Sequence, residues 1–141
     1  MREVRKSAIV ARPPGRLFEL INDVESYPHF VPGVAAARVE SRSPSEIVAT
    51  LSVRRGPLRA QFTTRNELEP ERRIQMHLVR GPFSELEAEW TLTPLGKNGC
   101  RIELAIRFAF ASRLSAVLFE PLFQDTVESL VDAFVARAEA R

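Results

Sequence analysis

The chain has one cysteine, two histidines and two lysines in 141 residues. Cys100 alone cannot close an intrachain disulfide, and with only His29 and His77 beside it there is no Cys/His ligand set for zinc. No metal is expected. Long apolar runs are also missing, since none approaches the roughly 18 residues that cross a bilayer. The opening MREVRKSAIVARPP has neither the apolar core nor the small-residue cleavage site of a signal peptide, so a cytoplasmic location is expected. There is no Walker loop, dinucleotide fingerprint or nucleophile elbow, and so no sequence signal for a catalytic cofactor. A net charge of only +2 gives no reason to expect DNA as a partner.

Hydrophobic residues make up 45% of the chain and charged residues 27%, which is globular composition, and the length suits one domain over residues 1–141. Charge is uneven along it. Residues 1–65 carry 11 Lys/Arg against 6 Asp/Glu, and the remainder 9 against 12. Arg54, Arg55 and Arg59 flank a Gly56-Pro57 turn, where they form a charged hairpin tip or a phosphate contact.

Periodicity supplies the fold. A first strand near residues 3–11 precedes a short helix entered at Pro14, whose apolar side is Leu17, Phe18, Leu20 and Ile21. Period-two alternation then recurs in successive segments: Ile47 to Val53, Leu58 to Leu68, Ile74 to Leu78, Leu86 to Leu92, and Cys100 to Phe110. One apolar and one polar face per strand describe an antiparallel sheet. From Ser112 onward the apolar spacing becomes three and four, which describes one long helix with Ser112 as its cap and Pro121 as a kink or interruption. The expected architecture is α+β, a curved antiparallel sheet of about seven strands around a long C-terminal helix.

The inward register has no Asp, Glu, Lys, Arg or His in its five clearest strands, and Thr64, Asn66 and Cys100 are its main polar members. Acid–base catalysis needs a titratable group within reach of the substrate, so no catalytic residue is assigned. The wall instead suits an apolar ligand: Leu51, Val53, Phe62, Thr64, Met76, Leu78, Trp90, Leu92, Leu104, Ile106 and Phe108 from the strands, and Leu118, Leu122, Phe123, Val127 and Phe134 from the helix. The same side chains could equally pack on one another and leave no cavity. Residues 22–34, NDVESYPHFVPGV, pose a related question, because Pro28 and Pro32 forbid regular structure while Tyr27, Phe30 and Val31 are too apolar for an ordinary surface loop. Either they border a tunnel mouth, touching a ligand head or a membrane surface, or they plug one end of the sheet.

Several segments together resemble a known family: FELINDVESYPHFVPG, FTTRNEL, LVRGPFSELEAEWTLTPL, CRIELAIRFAFAS and AFVARA. The chain is similar to the coenzyme Q-binding START-like family, within the polyketide cyclase and lipid-transport superfamily, and to its bacterial ribosome-association toxin (RatA-like) branch. That resemblance implies a helix-grip fold around a hydrophobic tunnel. It further implies ubiquinone or a related isoprenoid lipid as ligand rather than cofactor, in support of respiratory quinone function. The toxin branch implies the large ribosomal subunit as partner, with Arg54, Arg55 and Arg59 as candidate contacts, and blocked subunit joining. The wider superfamily implies a polyketide cyclase or aromatase alternative. In this resemblance Tyr27, Pro28, Phe30, Val31 and Pro32 border the tunnel. Gly33 stands where coenzyme Q-binding relatives often carry tryptophan, which leans the likeness toward the toxin branch.

Overall fold

A computed structural model describes residues 2–140. The elements run β1 (Arg2–Val10), α1 (Pro14–Asn22), a 3₁₀ segment (Val24–His29), β2 (Val34–Ser43), β3 (Glu46–Arg55), β4 (Leu58–Glu69), β5 (Arg73–Arg80), β6 (Phe83–Leu95), β7 (Gly99–Phe110) and α2 (Arg113–Glu139). All seven strands form one antiparallel sheet in the order β1-β7-β6-β5-β4-β3-β2, so that β1 closes against the last strand and the rest form a meander. Its concave face holds α2, as the alternation and the helical spacing predict. The architecture is the expected START-like helix grip.

Strand β2 escapes the alternation. VAAARVESRS carries few large apolar residues, two register shifts and a mostly exposed surface, because it is the sheet edge. Edges are kept charged and irregular to prevent pairing with other chains. Arg38 and Glu40 also serve a convex-face network. Thr50 donates to Glu40 at 2.5 Å and accepts from Thr63 at 2.7 Å, while Arg80 and Arg38 donate to the same carboxylate at 2.6 and 3.2 Å. Those hydrogen bonds, Thr50's first, hold the Glu40 carboxyl at about 2.

Pro121 does not interrupt α2, which runs unbroken from Arg113 to Glu139. The proline and Val117, whose carbonyl loses its helical donor, are both exposed, so water can serve that oxygen. Ser112 caps the helix by accepting the Ser115 N–H at 3.0 Å. Beneath α2 lie two aromatic groups. Phe62, Phe83, Phe108, Phe110 and Phe123 meet with centroids 4.8–6.4 Å apart under its N-terminal half. Tyr27, Phe30, Trp90 and Phe134 meet edge to face at 5.2–6.2 Å under its C-terminal half.

Phe62, Trp90, Ile106 and Phe108 are 8%, 2%, 6% and 0% exposed, on the helix-facing side of their strands. Phe108 is packed on Phe83, Phe110 and Phe123 rather than against open space. Phe108→Ala is therefore expected to cost about 3–5 kcal/mol in chemical denaturation; a loss below about 1 kcal/mol would mean that the site collapses or was never filled.

Candidate functional site

Between the two aromatic groups the packing is incomplete. A cavity of about 60 Å³ is lined by Leu51, Phe62, Thr64 and Met76 from β3–β5, Leu86, Ala88, Trp90, Leu104 and Ile106 from β6 and β7, and Phe123, Thr126, Val127 and Leu130 from α2, with Tyr27 and Val34 closing it. A second crevice of about 10 Å³ lies nearer the start of α2, lined by Val53, Ala60, Phe62, Pro82, Phe83, Phe110, Phe119, Leu122 and Phe123. Phe62 and Phe123 belong to both linings, and their rings meet at 5.7 Å. That pair is the partition between the two spaces.

The residues expected on a ligand wall divide accordingly. Leu51, Phe62, Thr64, Met76, Trp90, Leu104, Ile106, Phe123 and Val127 line the cavity, and Val53 and Leu122 the crevice. Leu92, Phe108 and Phe134 are buried in neither lining and pack as core, while Leu78 is half-buried beside Thr64 across the β4–β5 pairing. Leu118 is the clear correction: it is 42% exposed, because its position on α2 faces away from the sheet. Leu86, Ala88, Leu130, Val34 and Thr126 complete the wall without having been named for it. The first three share the periodicity of Trp90 and Val127; Thr126 is polar and gave no signal.

The proline-rich loop is a docked element. Val24, Tyr27, Val31 and Val34 are buried, and Phe30 is half-buried against Phe134 with the Arg137 guanidinium 4.9 Å from its ring centre. Pro28 lies inside the 3₁₀ segment, and Pro32 is exposed just beyond it. Tyr27 donates its hydroxyl hydrogen to the Ile21 carbonyl, an otherwise orphaned acceptor at the end of α1. Burial, with the Asp23 charge second, drives its pKa well above the ordinary phenol value. Gly33 fixes the loop's exit. Its φ is +87°, its carbonyl accepts the Arg54 N–H at 2.7 Å, and an added Cβ would sit 2.9 Å from the Thr126 hydroxyl.

Chemically the cavity is almost inert. Its polar side chains are Tyr27, Thr64 and Thr126, and each hydroxyl hydrogen is already given: Tyr27 to Ile21, Thr64 to Asn66 Oδ1 at 2.8 Å, Thr126 to the Leu122 carbonyl at 3.0 Å. Cys100 is buried beside Val10 between β1 and β7, and burial raises its thiol pKa. His29 is exposed in the loop, and His77 lies on the convex face with Nε2 3.0 Å from Glu67. Among the described residues no three His, Cys, Asp or Glu side chains converge as metal ligands, and no helix is long and apolar enough to cross a membrane. Arg54 and Arg59 face each other across the β3–β4 pairing with no ion-pair partner among the described residues, while Arg55 reaches Asp125 of α2 at 3.1 Å.

Residues 10–135 match the model of the polyketide cyclase/dehydrase and lipid transport family. The chain belongs to that family. Within it, the chain is 40% identical over 136 residues to the ribosome association toxin RatA of Pseudomonas aeruginosa, covering 96% of this chain and 94% of that protein. It is 26% identical to the mitochondrial coenzyme Q-binding protein COQ10 of Drosophila melanogaster, over 96% of this chain and 58% of the relative. Among solved structures it superposes on the Zhui aromatase/cyclase of a Streptomyces species with TM-score 0.86 at 20% identity, covering 99% and 94% of the two chains. A START superfamily protein from Mycobacterium smegmatis gives TM-score 0.80 at 22% identity, covering 98% and 97%. At such identities these likenesses speak to fold alone. This member of the family is therefore RatA-like in sequence and START-like in architecture.

The Tyr27 bond joins the loop to α1. Tyr27→Phe is expected to lower stability by about 1–3 kcal/mol, because a buried carbonyl at a helix end loses its donor. Urea denaturation monitored by Trp90 fluorescence measures it, and unchanged stability would mean that the bond does not anchor the loop.

Proposed function

We propose that this chain binds an isoprenoid lipid, a ubiquinone or a related molecule, between the sheet and α2, and performs no chemistry on it. The observation that carries the reading is the wall of the cavity, which is apolar apart from three hydroxyls and holds no available acid or base. A cyclase would need such groups at its substrate. The acceptor oxygens of Thr64 and Thr126 are the groups able to orient a polar head. At about 60 Å³ the space is small, and ligand pockets run to roughly 300–1,000 Å³, so a ligand must enlarge it. Turning Phe123 away from Phe62 would join cavity and crevice along the axis of α2. A ligand of this kind resides in membranes, so the reading carries with it a cytoplasmic protein in transient contact with a lipid surface.

The test is thermal. A ligand present at a hundred times its dissociation constant adds about 2.7 kcal/mol to the folded state. A short-chain ubiquinone is expected to raise the melting temperature by several degrees, and Ala88→Leu, which projects an isobutyl group into the cavity, is expected to abolish the rise. No shift with any quinone or polyprenyl lipid, or an undiminished shift in Ala88→Leu, would overturn the reading.

A second reading is association with the ribosome, on its large subunit; the relatives named as ribosome association toxins and the opposed Arg54 and Arg59 favour ribosome binding. Like charges placed directly opposite in a sheet destabilise it unless an anion lies between them. Binding through them is expected to weaken steeply with salt, and Arg54→Glu with Arg59→Glu should remove it while leaving the Arg55–Asp125 bridge intact. Unchanged co-sedimentation with large subunits would take these arginines out of the interface.

A further inference from the structure

Three large aliphatic side chains stand together in solvent on the first turns of α2: Leu114, Val117 and Leu118 are 67%, 69% and 42% exposed. Their spacing of three and four residues places them in one strip. Other large apolar residues at this exposure, Ile9, Val79 and Leu95, lie singly on different strands. Along α2 the strip is followed directly by Phe119, Leu122 and Phe123, which line the crevice. Its electrostatic setting is one-sided. From Ala111 to Phe119 the chain has one arginine, Arg113, and no carboxylate. The β3–β4 hairpin tip is tied alongside by the Arg55–Asp125 bridge and adds Arg54 and Arg59, which have no ion-pair partner among the described residues. The next acids along α2, Glu120 and Asp125, are engaged with Arg2 at 3.7 Å and with Arg55.

We propose that this strip docks the protein on an anionic lipid bilayer, with Leu114, Val117 and Leu118 entering the acyl boundary and Arg54, Arg59 and Arg113 meeting lipid phosphates. Two features select a bilayer over a protein partner. Three aliphatic side chains fall well short of the about 800 Å² that each partner buries in a stable complex, and they offer no aromatic anchor. A bilayer needs no shape complement: it takes an apolar helix face and rewards a basic rim. The place also suits the purpose, for a lipid leaving the bilayer here would meet the crevice first and the Phe62–Phe123 partition next. The proposal rests on the lipid-binding reading for that purpose, but the surface is separate from the cavity.

The experiment is sedimentation of the full chain with vesicles of equal parts phosphatidylcholine and phosphatidylglycerol, set against phosphatidylcholine alone. The wild type is expected to sediment with the anionic vesicles and to be released by salt. A Leu114→Ser, Val117→Ser, Leu118→Ser variant, which touches no buried side chain, is expected to bind at least about tenfold more weakly. Arg54→Gln, Arg59→Gln, Arg113→Gln is expected to lose the preference for anionic lipid. Wild type that stays in the supernatant, or a serine variant that sediments like it, overturns the proposal. A wild-type dimer that the serine variant dissolves assigns the strip to self-association and overturns it too. Thermal shifts with short-chain ubiquinone, measured on the same variants without vesicles, keep the two readings apart. A retained shift with lost sedimentation is the expected pair, whereas sedimentation without any shift leaves the docking surface standing and removes the cavity ligand.

Discussion

Everything inside this molecule follows from a mismatch of widths. Seven strands curve into a concave face, and a single α-helix about 10 Å across cannot cover it. The sheet must therefore be filled by the largest side chains available, and two aromatic groups do this under the two halves of α2. Where they meet, between Tyr27 and Trp90 on one side and Phe62 and Phe123 on the other, about 60 Å³ is left over. The rings that border this space meet edge to face at 5.4–5.7 Å, so its size is set by the rotamers of a few aromatic side chains and not by the backbone ladder.

The same geometry segregates polar chemistry. Ion pairs and charged hydrogen bonds occupy the convex face and the rim: Glu40 with Arg80 and Arg38, His77 with Glu67, Arg73 with Glu89. Most are exposed, and such pairs add little stability. Their arrangement matters more, because it leaves the helix-facing side of β3 to β7 free of charge, with Lys6 and Arg2 of the edge strand β1 tied to α2 at the border, and gives a ligand there only hydroxyl oxygens to meet. The first turns of α2 are the exception to the burial of apolar surface.

Alternation made β3 to β7 legible because each has one face on the helix and one in water, and the switch to helical spacing after Ser112 marked α2. Strand β2 was illegible for the converse reason: at the sheet edge Ala35, Ala36 and Arg38 face solvent and no regular apolar face is imposed. Pro121 does not interrupt α2, because whether a proline ends a helix depends on whether the freed carbonyl can reach water, which spacing does not encode. Leu118 misled because a long helix can carry an apolar position outside its core face. The site was half readable. Phe62, Trp90, Ile106 and Phe123 follow from register, but whether apolar walls touch or leave a gap is a matter of fractions of an ångström in packing. Tyr27 belongs to the wall because its hydroxyl turns back to Ile21, a contact six residues away that no periodicity signals.

The central claim is that the leftover space is a place for a lipid. Native mass spectrometry of the chain purified from the cell that makes it, without delipidation, tests this most directly. The account expects a bound species with the mass and fragmentation of an isoprenoid quinone or polyprenyl lipid, released as the protein unfolds. A chain that is uniformly ligand-free, or one that carries a water-soluble metabolite instead, would contradict it.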